Sequence, residues 1–278
     1  MVAESCGSMS CRRLNKVPRF QRWISRVGAT AVLLLAVVPA LRAAVVDQNA
    51  GHGKRALYVY NQTKLEKARS AEGVDPKRVA QLETWRKNDE DAMGYLRSLG
   101  FAVTPASEST PVDSAKSQDL VVISESVDAV DVDAKYRYVT QPVVLLENDL
   151  LGVLGMTALK NGRDYGTEDE QRFIWLVNAP HPLAAGLTAG IQNVLADEHC
   201  KMNWGKPGLG ATTIATVLGE PDKAAIFAYE KGATMNGEFL APARRVSFFL
   251  WQDTFDQLRP EGLSLFRAAV LWAVSPPS

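Results

Sequence analysis

The sequence predicts an α/β domain in which a parallel sheet flanked by helices is followed by an antiparallel extension of the same sheet. Three observations lead there. Short apolar runs around Leu57, Val121 and Val144 each end in polar residues, as buried strands of an open α/β sheet do. A long stretch of helical periodicity separates the first run from the next. Beyond Gly155 apolar and polar residues mix over shorter, more exposed runs, the pattern of strands with one solvated face.

The first strand is expected at Ala56-Leu57-Tyr58-Val59-Tyr60, running out into Asn61, Gln62 and Thr63. Asp75-Pro76 reads as a helix N-cap with proline at the first helical position. Val79, Leu82, Trp85, Ala92, Met93, Leu96 and Leu99 then recur at helical spacing until Gly100. Phe101 to Thr104 is the second strand, and strand, helix, strand is the entry to a right-handed crossover. Asp119 to Ile123 is the third strand, ending in Ser124-Glu125-Ser126, with a helix expected around Val132 to Val139. Pro142 to Leu146 is the fourth, ending at Glu147-Asn148-Asp149, with a short helix through Leu150, Leu151 and Leu154. The extension is assigned to Phe173–Val177, Ile191–Leu195, Thr213–Leu218, Ala225–Tyr229 and Val246–Leu250, and a helix from Pro260 to Ala273 closes the chain.

The first 44 residues have a different character. Arg12, Arg13, Lys16, Arg19, Arg22 and Arg26 precede an apolar run from Val27 to Leu41, and Ala43 and Ala44 follow it. A basic start, an apolar middle and a small-residue end predict a secretory signal cleaved after Ala43 or Ala44, because a spanning helix needs about 20 apolar residues. An uncleaved anchor is the alternative. The expectation is therefore residues 1–44 as signal, residues 45–278 as one domain, and a periplasmic or extracellular location without membrane attachment after cleavage. Seven basic residues and one acid lie in the signal, which leaves 24 basic against 30 acidic residues. A domain near −6 without a basic stripe is not expected to bind nucleic acid.

Cys200 is the one cysteine after residue 44, which excludes an internal disulfide and a cysteine-rich metal centre. His52, His181 and His199 are too far apart for a local zinc motif, and no cofactor is expected. Gly205 to Gly210 is glycine-rich but lacks the terminal Lys-Ser/Thr of a phosphate loop, so it reads as a lid or a hairpin connection.

Asn178-Ala179-Pro180-His181-Pro182-Leu183-Ala184-Ala185-Gly186-Leu187 resembles the "HPL..GL" phrase of proteins with a class I glutamine amidotransferase-like fold, ThuA-like proteins among them. Similar phrases are Ala225 to Gly232, Arg245 to Leu250 and Leu265 to Ala273, with Leu57 to Val59 and Asp119 to Ser124 in the first half. The likeness spans nearly all of residues 45–278. It implies a flavodoxin-like three-layer sandwich of a kind found in exported bacterial proteins, often beside carbohydrate-related modules and with unknown function. Catalytic members of that fold set a cysteine between glycines at a tight strand-to-helix turn. Here the turn reads Ser124-Glu125-Ser126-Val127, without glycine, and Cys200 follows His199 in a polar stretch, so amidotransferase activity is not expected.

Candidate site residues follow from position. Ser124, Glu125 and Ser126 end a central strand, where open α/β sheets bind ligands; they are a catalytic candidate or plain turn formers. Glu147 and Asp149 end the next strand on the same rim, either as acceptors for sugar hydroxyls or with Glu147 capping the helix after it. Trp204 is a candidate for stacking on a sugar face, or a core anchor. Asp197, Glu198 and His199 are the densest group of metal-ligand types, against the plainer reading of a polar loop. His181 is a catalytic candidate whose two flanking prolines favour a rigid turn instead. The preferred reading is a non-catalytic exported module that binds a carbohydrate or protein partner over Ser124, Glu125, Glu147 and Asp149. The alternatives are an extracytoplasmic hydrolase using Ser124 or Glu125 with a histidine, and a structural or oligomerisation domain.

Overall fold

A computed structural model describes residues 46–276. The expected signal lies outside the described residues. Within them, no helix is long and apolar enough to cross a membrane.

Strand β1 (Arg55–Val59) pairs in parallel with β2 (Ala102–Ala106) on one side and β3 (Leu120–Ile123) on the other. β4 (Val143–Leu145) continues the parallel sheet beside β3. The fifth parallel position is filled by the last strand of the chain, β11 (Arg245–Phe248), with Val246 beside Val144. The order β2-β1-β3-β4-β11 reproduces the 2-1-3-4-5 arrangement of flavodoxin-like folds. The antiparallel extension then runs β10 (Glu220–Tyr229), β9 (Thr212–Val217), β6 (Phe173–Leu176) and β7 (Gly190–Asn193). β5 (Tyr165–Glu168) and β8 (Met202–Gly205) lie off this path, with β8 bridging β5 to β10.

Strand alternation divides the core into two layers. Ala56 and Tyr58, Leu120 and Val122, and Val144 and Val246 point to one face, where α2 (Pro76–Ser98) and α4 (Pro260–Val274) cover them with Ala92, Met93, Leu96, Leu265, Phe266 and Ala269. Leu57, Val59, Val121, Ile123, Val143 and Leu145 point to the other, packed by Val132, Tyr136, Leu150, Leu151 and Leu154. This is a three-layer sandwich with long helices on one side and short turns of helix on the other.

Local chemistry explains where the long elements stop. Asp75 accepts from Lys77 N at 3.0 Å to open α2, and Gly100 at φ +92° ends it against His52, in a conformation a side chain would strain. The C-terminus of α4 is capped by Arg244, whose Nη1 donates to Ser275 O at 3.0 Å while Nε pairs with Glu230 at 2.7 Å. Arg245 is fully buried without an acid, its Nη2 donating to Val139 O at 2.6 Å and Nη1 to Gln141 O at 3.0 Å. Burial alone pulls its pKa down to about 10.

Several elements differ from expectation. Lys64–Ser70, to which the sequence pattern assigns no element, is helix α1, because Asn61 Oδ1 accepts from the backbone of Thr63 and Lys64 and starts a turn. The helix expected at Val132 to Val139 is instead α3 (Ala129–Val132), capped by Asp128, followed by a 3-10 turn. β5 and β8 were not anticipated as strands. β11 belongs to the parallel sheet and not to the extension, since its inner neighbour is β4.

Candidate functional site

The carboxyl ends of β1, β3, β4 and β11 meet on one edge, and the residues that follow β3 and β4 are polar and buried: Ser124, Glu125, Ser126, Glu147 and Asn148. The edge holds two arrangements.

The first centres on Asp89, an acid in the middle of α2 that sequence reasoning did not single out. Asp89 Oδ1 accepts from Tyr58 Oη at 3.0 Å and from Ser124 Oγ at 2.5 Å, and Oδ2 accepts from Ser126 Oγ at 2.7 Å. Ser124 Oγ in turn accepts from Ser126 N at 3.1 Å, which fixes the turn after β3. Burial lifts the Asp89 pKa to about 6, against the pull of the three hydroxyl donors. Ser124 is thus bonded to a carboxylate, with no imidazole among its partners.

The second arrangement pairs Glu125 with Glu147. Glu147 Oε1 accepts from Asp149 N at 2.9 Å and so caps the short 3-10 turn at Asn148–Leu150. Burial raises its pKa to about 8, and the charge of Asp149 adds to the rise while the Asp149 amide and Lys64 oppose it. Glu125 is 3% exposed, and its pKa is driven well above the carboxylate range by burial first and by Glu147 second. The side-chain amides of Asn203, from β8, and Gln252, from the loop after β11, oppose that rise. A cavity of about 20 Å³ lies between the two arrangements, lined by Tyr58, Asp89, Ser124, Glu125, Trp251 and Gln252. That is room for one water. The loop after β11 closes it, through Gln252 Nε2 to Glu125 O at 3.4 Å and Asp256 N to Asn88 Oδ1 at 2.9 Å.

Ser124, Glu125 and Glu147 therefore do come together, and Asp149 stands exposed beside them with its Oδ1 accepting from Asn161 at 2.9 Å. The other candidates lie elsewhere in the fold. Trp204 is not in a loop: it is a core residue of β8, with its ring against Gly166 and Lys223 Nζ 5.2 Å above it. His181 Nδ1 accepts from Leu183 N at 3.1 Å, and the ring lies 5.4 Å from that of Trp272, by Arg244 and the amino end of β11. His199 N donates to Asp197 Oδ1 at 2.8 Å in an exposed turn, next to buried Cys200, whose thiol burial pushes up to about 11. Among the described residues no three His, Cys, Asp or Glu side chains converge on a point that a cation could occupy.

A larger hollow lies on the antiparallel extension. Trp175, Val177, Thr216, Gly219, Glu220 and Pro221 line a groove of about 320 Å³. Trp175 is 46% exposed and sits in register with Thr216 on one side and Ile191 on the other.

No protein-family model matches the chain, and no curated protein sequence does. The solved structures similar to it at low identity include two of related architecture. One is a provisionally assigned ThuA-like protein from Bacteroides uniformis, 13% identical over 85% of this chain and 95% of its own, with a TM-score of 0.47. The other is a provisionally assigned GMP synthase component from Thermoplasma acidophilum, 12% identical over 79% of this chain and 94% of its own, with a TM-score of 0.44. The flavodoxin-like assignment rests on the strand order of the chain itself.

Proposed function

We propose that this chain is an exported, non-catalytic α/β module that binds a carbohydrate on the antiparallel extension. The observation that carries the reading is a contrast in access. The polar groups at the carboxyl edge are buried and bonded to one another around a space the size of a water, whereas the Trp175 groove is open. An exposed indole face with the Glu220 carboxylate beside it suits a sugar ring, which presents C–H groups to the aromatic face and hydroxyls to Glu220. A hydrolase reading is weakened by the setting of Ser124: its Oγ donates to Asp89, whose oxygens also accept from Tyr58 and Ser126, and the space beside them has room for one water and none for a substrate.

A protein partner is the second reading, favoured by Ile191, which is 57% exposed beside Trp175 on the terminal strand β7. A β-sheet edge offers unpaired backbone groups to an incoming strand. Titration of residues 45–278 with soluble oligosaccharides, followed by tryptophan fluorescence and calorimetry, tests the proposal. Binding lost in Trp175→Ala and kept in Glu147→Gln supports it. Turnover of an ester or glycoside that disappears in Ser124→Ala overturns it in favour of the hydrolase.

A further inference from the structure

The sequence holds two Asn-Gly steps, Asn161-Gly162 and Asn236-Gly237, and the fold treats them differently. An asparagine before a glycine can close on the backbone, because no side chain on the glycine shields its nitrogen from the neighbouring carboxamide. Both glycines are exposed, both turn at φ +75°, and both have open space where a Cβ would stand, so crowding does not separate them. Hydrogen bonding does. Gly162 N donates to Tyr165 O at 2.8 Å and Asn161 Nδ2 donates to Asp149 Oδ1 at 2.9 Å, so both reacting groups of the first step are tied in place. At the second step Asn236 N donates to Gly155 O at 2.9 Å and Met235 N to Phe239 O at 2.6 Å, which hold the hairpin but neither reacting group. Gly237 N and the Asn236 carboxamide have no hydrogen-bond partner among the described residues.

We infer that Asn236 is a site of spontaneous deamidation and that the fold protects Asn161 from the same reaction. Gly237 N gives its proton to the solvent and attacks Asn236 Cγ. A Cγ–N bond forms, the Cγ–Nδ2 bond breaks, and Nδ2 takes up a proton and leaves as ammonia. Water then opens the cyclic imide at either carbonyl, leaving an aspartate or an isoaspartate at position 236, with no oxidant or reductant involved. The location gives the change a consequence. Met235 is buried, and the hairpin bridged from Thr234 to Leu240 lies hard against the glycine-rich stretch before it. A Cβ on Gly210 would stand 2.2 Å from Thr234 O, and one on Gly208 would stand 3.4 Å from Asn236 N. Isoaspartate lengthens the backbone by an atom at a contact without slack, and either product sets a new carboxylate near Glu238. The hairpin then loosens, together with the edge-to-face contact of Phe239 on Tyr138 at its far side.

The test is peptide mapping by mass spectrometry of the full chain, aged at mildly alkaline pH both native and in guanidinium chloride, with isoaspartate read by enzymatic methylation. In the native protein Asn236 should convert at least about tenfold faster than Asn161, where two hydrogen bonds must break first, and the two rates should draw together in the denaturant. Conversion at Asn236 should also quicken with rising pH, since Gly237 N has to lose its proton. Equal native rates, or a faster Asn161, overturn the inference. So does an Asn236 that stays intact in the native protein and converts only in the denaturant, which would mean that the hairpin blocks ring closure. A difference that persists in guanidinium chloride overturns it as well, because the flanking residues and not the fold would then set the rates. Hydrogen exchange over residues 233–241 should rise in the aged protein, and no change there would remove the loosening.

Discussion

Two carboxylate sites lie side by side on one sheet edge, and they solve burial in opposite ways. Asp89 receives three hydroxyl donors, from Tyr58, Ser124 and Ser126, and its pKa rises only to about 6. Glu147 receives a single backbone N–H and rises to about 8, while Glu125 has an oxygen with no donor and is driven well above the carboxylate range. Depth is the same at both sites, so the supply of donors and the charges nearby, acids around Glu125 and Glu147 but Arg86 near Asp89, decide whether the acid keeps a charge. The turn Ser124-Glu125-Ser126 feeds both. Its serines continue the alternation of Val122 toward α2, and Glu125 supplies the second site.

Removing the acid from the well-supplied site should do the most damage. Asp89→Ala strands three buried hydroxyls at once, and hydrogen bonds to a charged group contribute about 1.5 to 3 kcal/mol each before compensation. A loss of about 3 kcal/mol or more by urea unfolding is expected, and Asp89→Asn should lose less because it keeps an acceptor. Equal losses in the two variants would mean that packing and not donor supply governs this site. Ser124→Ala should cost about 1 to 2 kcal/mol, since it removes one donor and the acceptor for Ser126 N.

The comparison sharpens along the pH axis. Asp89 and Glu147 both have folded pKa values above their ordinary ones, so the native state holds protons that the unfolded chain has released. Their contribution is fully present below pH about 4 and is lost as pH rises through the folded values. For Asp89 the loss is complete a little above pH 6, and for Glu147 a little above pH 8. The protein should therefore be more stable near pH 5 than near pH 9, and Glu147→Gln should flatten the upper part of that decline while Asp89→Asn flattens the lower part. A melting temperature that rises between pH 5 and pH 9 would contradict both assignments.

Much of the parallel half was legible because buried strands are written as apolar runs and because Pro76 and Gly100 punctuate α2. β5 and β8 were not, since Tyr165–Glu168 and Met202–Gly205 carry no run and owe their conformation to pairing with each other. The rim was half legible. Position after β3 and β4 pointed to Ser124, Glu125 and Glu147. Asp89 was missed although Asn88 and Asp89 interrupt the apolar stripe of α2 between Trp85 and Ala92, a polar break on a buried face that asks for a partner. Asn203 gave no such sign, because its role comes from two carbonyls more than 40 positions away.

The smallest expected effect on stability separates edge from groove. Trp175 is half in solvent and paired across the sheet with Thr216 and Ile191, so Trp175→Ala should change unfolding free energy by about 1 kcal/mol, the loss of its cross-strand packing. If the groove is the contact surface, the same change should remove most oligosaccharide affinity, because an aromatic platform supplies the apolar part of such a contact. Asp89→Asn should show the inverse pattern, weaker folding with binding intact once folded. A Trp175→Ala protein that melts well below wild type would mean that the indole supports the sheet, and the groove would then be a feature of packing; a variant that folds normally and no longer binds would assign the open face to recognition and the closed edge to stability.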